Sequence, residues 1–96
     1  MAKLAIEAKS AGTFTWSIHA DDKKPMSVSI GADGKGARTV AEPGLYLLVW
    51  TVRGNKGTTY SYKVTLDDAE LEKAPDKAKI SAEKWEGGFV PFTVKP

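Results

Sequence analysis

Between Thr13 and His19 every second residue is large and apolar: Phe14, Trp16 and Ile18 alternate with Thr13, Thr15, Ser17 and His19. Side chains of an extended chain point alternately to opposite sides, so this period of two puts three apolar groups on one face and the polar ones on the other. Aromatic and β-branched residues dominate the stretch, as strands prefer. Trp16 is therefore expected in a core. The same period recurs in Leu4, Ile6 and Ala8, in Met26, Val28 and Ile30, in Ala78, Ile80 and Ala82, and in Val90, Phe92 and Val94. Pro91 interrupts the last run and cannot donate to a ladder, which predicts either an edge strand or a proline nitrogen turned to solvent.

Two further strands flank the turn Gly54-Asn55-Lys56-Gly57. Tyr46, Leu48, Trp50 and Val52 form an apolar even-numbered face before it, and Tyr60, Tyr62, Val64 and Leu66 form another after it. An antiparallel hairpin must set even residues opposite even ones. A two-residue turn at Asn55-Lys56 would set core residues opposite solvent residues throughout. A three-residue loop with Gly57 in the left-handed conformation instead pairs Gly54 with Thr58. That register predicts Val52 opposite Tyr60, Trp50 opposite Tyr62 and Leu48 opposite Val64. It also turns Leu45, Leu47 and Val49 outward, opposite Asp67, Thr65 and Lys63. Three outward apolar residues are either covered by another segment or form a patch for a partner or a second copy.

Elsewhere, Asp33-Gly34 predicts a tight hairpin turn between 26–30 and a returning strand at 37–41. The stretch 67–77 breaks the alternation and is expected to be a connector, with Asp67 capping a short helical turn that Pro75 ends. About eight short strands and almost no helix argue for an all-β fold, a small antiparallel β-sandwich of seven to eight strands. At 96 residues the chain has room for one core, so 1–96 reads as a single sandwich domain.

The entry Pro43-Gly44-Leu45-Tyr46 into a Trp-Thr-Val strand and a glycine-bearing hairpin resembles bacterial immunoglobulin-like domains, over residues 43 to 66. The resemblance implies an immunoglobulin-like sandwich and a role in recognition or assembly rather than catalysis. The cysteine pair of antibody domains does not occur here.

Composition removes several function classes. Fourteen basic and twelve acidic residues are interleaved, as in SAEKWE, and leave a net charge of +2, which does not point to nucleic acid. The chain has no cysteine, so disulfides and thiolate metal sites are excluded; this fits a reducing compartment. The first ten residues carry Lys3, Glu7 and Lys9 and lack the apolar run of a secretory leader, so a cytoplasmic location is expected. The longest apolar run, 45–50, is far short of a bilayer-spanning helix. His19 is the only histidine, beside Ser17 and near Asp21, and no G-x-S-x-G elbow accompanies it. Asp21-Asp22 and Asp67-Asp68 with Glu70 offer oxygens to calcium but lack EF-hand spacing and read as caps or solvated charge. No enzyme activity, cofactor or metal is expected.

Two surfaces remain as candidates. WEGGF (85–89) reads as a loop in which Trp85 and Phe89 flank two glycines, and Trp85 either projects from it to solvent or plugs the open end of the sandwich. An indole can stack on the apolar face of a sugar, with Glu83 or Glu86 accepting hydroxyl hydrogen bonds, so a carbohydrate-like ligand is one expectation. The alternative is a structural or self-associating domain that docks a protein partner or a second copy on Leu45, Leu47 and Val49.

Overall fold

A computed structural model describes residues 2–10, 12–21, 23–74, 78–81 and 83–95. It is all-β: β1 (Ala2–Ser10), β2 (Thr13–Ala20), β3 (Lys23–Val28), β4 (Lys35–Val40), β5 (Gly44–Arg53), β6 (Tyr60–Leu66), β7 (Ala69–Lys73) and β8 (Trp85–Val94), with no helix among the described residues. The strands form two antiparallel four-stranded sheets, one in the order β4-β1-β6-β7 and the other β3-β2-β5-β8.

The faces follow the alternation. Leu4, Ile6, Ala8, Trp16, Ile18, Leu48, Trp50, Val52, Tyr62, Val64, Val90, Phe92 and Val94 are all buried between the sheets. Both apolar even faces around the Gly54–Gly57 turn point inward, but the strands bearing them do not pair. β5 hydrogen-bonds to β2 and β8, while β6 bonds to β1 and β7. The predicted hairpin register is therefore replaced by a crossing from one sheet to the other. Gly57 takes the expected left-handed conformation, φ +92°, but the turn closes one residue later than expected, Thr58 N–H donating to Asn55 C=O at 3.0 Å with Lys56 and Gly57 at its centre. Trp50 still meets Tyr62, ring to ring at 4.9 Å, across the sandwich instead of along a ladder. Within its own sheet Trp50 of β5 lies opposite Trp16 of β2, and Phe14, Trp16, Trp50, Tyr60 and Tyr62 make one aromatic cluster.

The turn at Gly31–Gly34 behaves the same way. Gly34 N–H donates to Gly31 C=O at 2.9 Å, yet β3 and β4 lie in different sheets, so the expected hairpin is again a crossing. Conversely, the expected helical connector after residue 66 is a true hairpin. Asp67 and Asp68 have φ 49° and 69°, positive at both central positions as a type I′ turn requires, and Leu66 pairs with Ala69 on either side. Asp67 caps no helix; its Oδ1 accepts the Lys3 backbone N–H at 2.9 Å. Ala78–Ile80 extends the β6 edge, with Tyr60 N–H donating to Ala78 C=O and Ile80 N–H to Thr58 C=O, and Ile80 is buried. The expectations for Asp22, Pro75 and Ala82 lie outside the described residues. Among those residues no helix is long and apolar enough to cross a membrane.

Candidate functional site

The segment 85–89 is not a loop. It is the first half of β8, and β8 pairs with β5 through ten successive residues, from Gly44 opposite Val94 to Arg53 opposite Trp85, without a register shift. Even residues of both strands face the core, so the odd ones face out together. Val49 lies between Ser17 and Phe89, Leu47 between His19 and Pro91, Leu45 beside Thr93, and Thr51 between Thr15 and Gly87.

The two apolar groups singled out from the sequence thus merge on one sheet face. No segment covers Leu45, which is 79% exposed, while Phe89 is 64% and Trp85 56% exposed. Leu47 and Val49 are half-buried by their strand neighbours. Trp85 leans back over its own strand, where a Cβ on Gly87 would sit 3.3 Å from its Cζ3 and 3.3 Å from Thr51 Cγ2. Beside the ring is a hollow of about 510 Å³ lined by Thr51, Arg53, Lys84 and Trp85. A second hollow, about 310 Å³, adjoins Leu45 and Leu47 with His19 and Asp21 on its rim.

The polar partners differ from those expected. Glu86 is an even residue and turns inward, where its carboxylate accepts from the Tyr60 hydroxyl and from the Ser81 hydroxyl and backbone N–H. These donors hold its carboxyl below the usual carboxylate range, Ser81 first and Tyr60 next. It fastens β8 to the other sheet and lies on the opposite side of the strand from Trp85. Glu83 is exposed before the strand begins. The side chains that share the hollow with Trp85 are the cationic Arg53 and Lys84. They were legible only after β8 was known to pair with β5, since the odd parity of Arg53 then places it next to Trp85.

Ser17 and His19 sit two apart on the outer face of β2, with Oγ and Nε2 2.8 Å apart. A nucleophile–base pair needs a third group to orient the imidazole, and among the described residues no carboxylate hydrogen-bonds to His19. Among the described residues no three His, Asp or Glu side chains gather as a metal site. Against known proteins, the chain matches no family model, no curated protein and no solved structure. The geometry alone therefore carries the functional argument.

Proposed function

We propose that this domain is a non-catalytic interaction module that docks a protein partner on the outer face of β5 and β8. One observation carries the reading: Leu45, Leu47, Val49, Phe89 and Pro91, far apart in sequence, adjoin on one sheet face, with Trp85 beyond Thr51 and Gly87 on the same face. Isolated exposed apolar residues are ordinary on a protein surface, whereas contiguous ones mark a contact surface. Among the described residues the groups whose proton affinity is displaced are Glu86, Tyr60 and Tyr62, engaged in packing the strands, and Lys23, paired with Glu42 at the surface; none of them stands as a poised acid or base in a cleft.

The immunoglobulin-like resemblance belongs to the same proposal. The Tyr46 hydroxyl donates to Glu42 C=O at 2.8 Å, where the chain crosses from β4 into β5. This is the arrangement of the tyrosine corner of that class, and the order β2-β5-β8 parallels its C-F-G sheet. β6 and β7 intervene between β5 and β8, where that class has a direct hairpin. Fold likeness does not by itself fix function.

The test is site-directed photo-crosslinking. A probe at position 47 should capture a partner that a probe at Lys63, on the outer face of the other sheet, does not, and Leu45→Lys with Val49→Lys in the probe-bearing chain should abolish capture. Equal capture from both faces would refute the assignment.

A second reading rests on the hollow beside Trp85. An exposed indole with Thr51, Arg53 and Lys84 as its rim suits a carbohydrate stacked on the ring and held by donors rather than by Glu86. Tryptophan emission that shifts on a glycan panel, and no longer does in Trp85→Ala, is the expected result; a flat response removes this reading.

A further inference from the structure

Three of the four sheet edges carry outward charges or are short, which discourages pairing with another chain along their whole length. β3 has Lys23, Lys24 and Pro25; β4 has Lys35 and Arg38; β7 is five residues long with Glu70, Glu72 and Lys73. The fourth edge, β8, is ten residues long and runs without a bulge; its own devices are the inward-turned Glu86 and Pro91, and Pro91 lies beyond the 85–89 half of the strand.

The direction of its free hydrogen-bonding groups can be read from its partner. Gly54 and Lys84 continue the β5–β8 register, and Gly54 N–H donates to Lys84 C=O at 3.0 Å, so the even-numbered pairs are the hydrogen-bonded ones. Antiparallel pairs alternate. The N–H and C=O groups of Trp85, Gly87 and Phe89 therefore point away from β5, toward the open edge. Pro91 has the same parity, so its missing donor also lies on that side.

We infer that this edge pairs with β8 of a second copy, antiparallel, about a twofold axis at Gly87. The inference rests on the reading of the outer face as a contact surface, because Trp85 and Phe89 belong to both. Centred on Gly87, the axis sets Trp85 beside Phe89 of the other copy, twice, and Gly87 beside its own equivalent. All outward groups of 85, 87 and 89 are then bonded, with an aromatic pair on each side of the glycine. The neighbouring registers fail for stated reasons. Centred on Glu86, the two carboxylates would face one another; centred on Gly88, Trp85 would face Pro91, which has no N–H to give. The Gly87 register sets Glu86 opposite Gly88 and leaves Pro91 outside this bonded core. The interface is isologous, as a twofold dimer requires, and joins two four-stranded sheets into one of eight.

Sedimentation over a range of concentrations tests this, together with hydrogen exchange. The wild-type chain should reach a dimer as concentration rises, with the Trp85, Gly87 and Phe89 amides gaining protection in step. Phe89→Lys and Trp85→Lys, both at exposed positions, should each weaken the dimer about tenfold or more while keeping the near-UV circular dichroism of the fold, and Leu45→Lys should leave it intact. A monomer at millimolar concentration would overturn the pairing and leave the face reading standing. So would a dimer broken by Leu45→Lys but not by Phe89→Lys, which would mean face-to-face association.

Discussion

Trp50 and Tyr62 touch at 4.9 Å although they hang from different sheets, and the contact spans the middle of the core. Trp50→Ala removes a ring that also packs on Trp16, Phe14 and Tyr60, and should cost about 3–5 kcal/mol, read from urea denaturation. An unchanged midpoint would mean the ring is not in the core. Trp50→Phe should cost clearly less. It keeps a ring and removes an indole N–H that has no hydrogen-bond partner among the described residues.

Gly88 lies opposite Trp50, and a Cβ there would sit 3.0 Å from both Cζ2 and Nε1 of the indole. Gly88→Ala should therefore overpack the core by roughly 1–3 kcal/mol. The penalty should shrink in a Trp50→Phe background, because the smaller ring lacks the atoms that collide. Additive effects of the two substitutions would contradict this contact.

The Asp67-Asp68 turn holds two non-glycine residues at positive φ. Asp68→Gly should raise stability by about 0.5–1 kcal/mol, since Asp-Gly suits a type I′ turn better than Asp-Asp, and a higher melting temperature is the readout. Asp67 is the wrong place for the same change, because its carboxylate holds the Lys3 N–H.

Glu86 bonds to Tyr60 and Ser81 in its charged form, so its folded pKa lies below the usual 4.5. A lowered carboxyl pKa stabilises the fold above the unfolded value, and that contribution disappears as pH falls through the folded value. Stability should thus drop as the medium is acidified below pH 4.5, and Glu86→Gln should flatten that part of the profile. A variant with the wild-type acid slope would exclude Glu86 as the group responsible.

At the alkaline end the sign reverses. Burial, with Glu72 nearby, pushes the Tyr62 hydroxyl up to about 12, and burial with the Glu86 hydrogen bond also raises Tyr60. A raised tyrosine pKa stabilises the fold below the ordinary value of 10, and the contribution is lost as pH climbs from there through the folded value. Absorbance near 295 nm should show tyrosine ionising together with unfolding. Full, reversible ionisation of Tyr60 and Tyr62 with the fold intact would contradict their burial.

The alternation of Phe14-Trp16-Ile18 and Tyr46-Leu48-Trp50-Val52 was enough to state which side chains are inside, because facing depends only on parity within a strand. Partnership depends on more. The chain does reverse at Asn55–Thr58 and at Gly31–Gly34, with Gly57 and Gly34 at positive φ, but a reversal serves equally well within a sheet and between sheets. At Asp67-Asp68 the signal was hidden, because aspartate takes positive φ less often than glycine, and the acids that follow suggested a helix start. The pairing of β5 with β8 joins segments separated by two other strands, and no local pattern encodes it. For that reason the exposure of Trp85 and Phe89 was legible, while their place on a strand, the neighbouring Arg53 and Lys84 and the inward turn of Glu86 were not.

The late placement of β8 beside β5 also bears on synthesis. When β5 leaves the ribosome, β2 has already emerged, but the strand that will cover its other flank is still to be translated, after β6, β7 and the chain beyond them. During that interval a long apolar strand offers its backbone to whatever is near. A nascent chain halted before Trp85 should therefore need a holdase, or aggregate, whereas the full-length product should not.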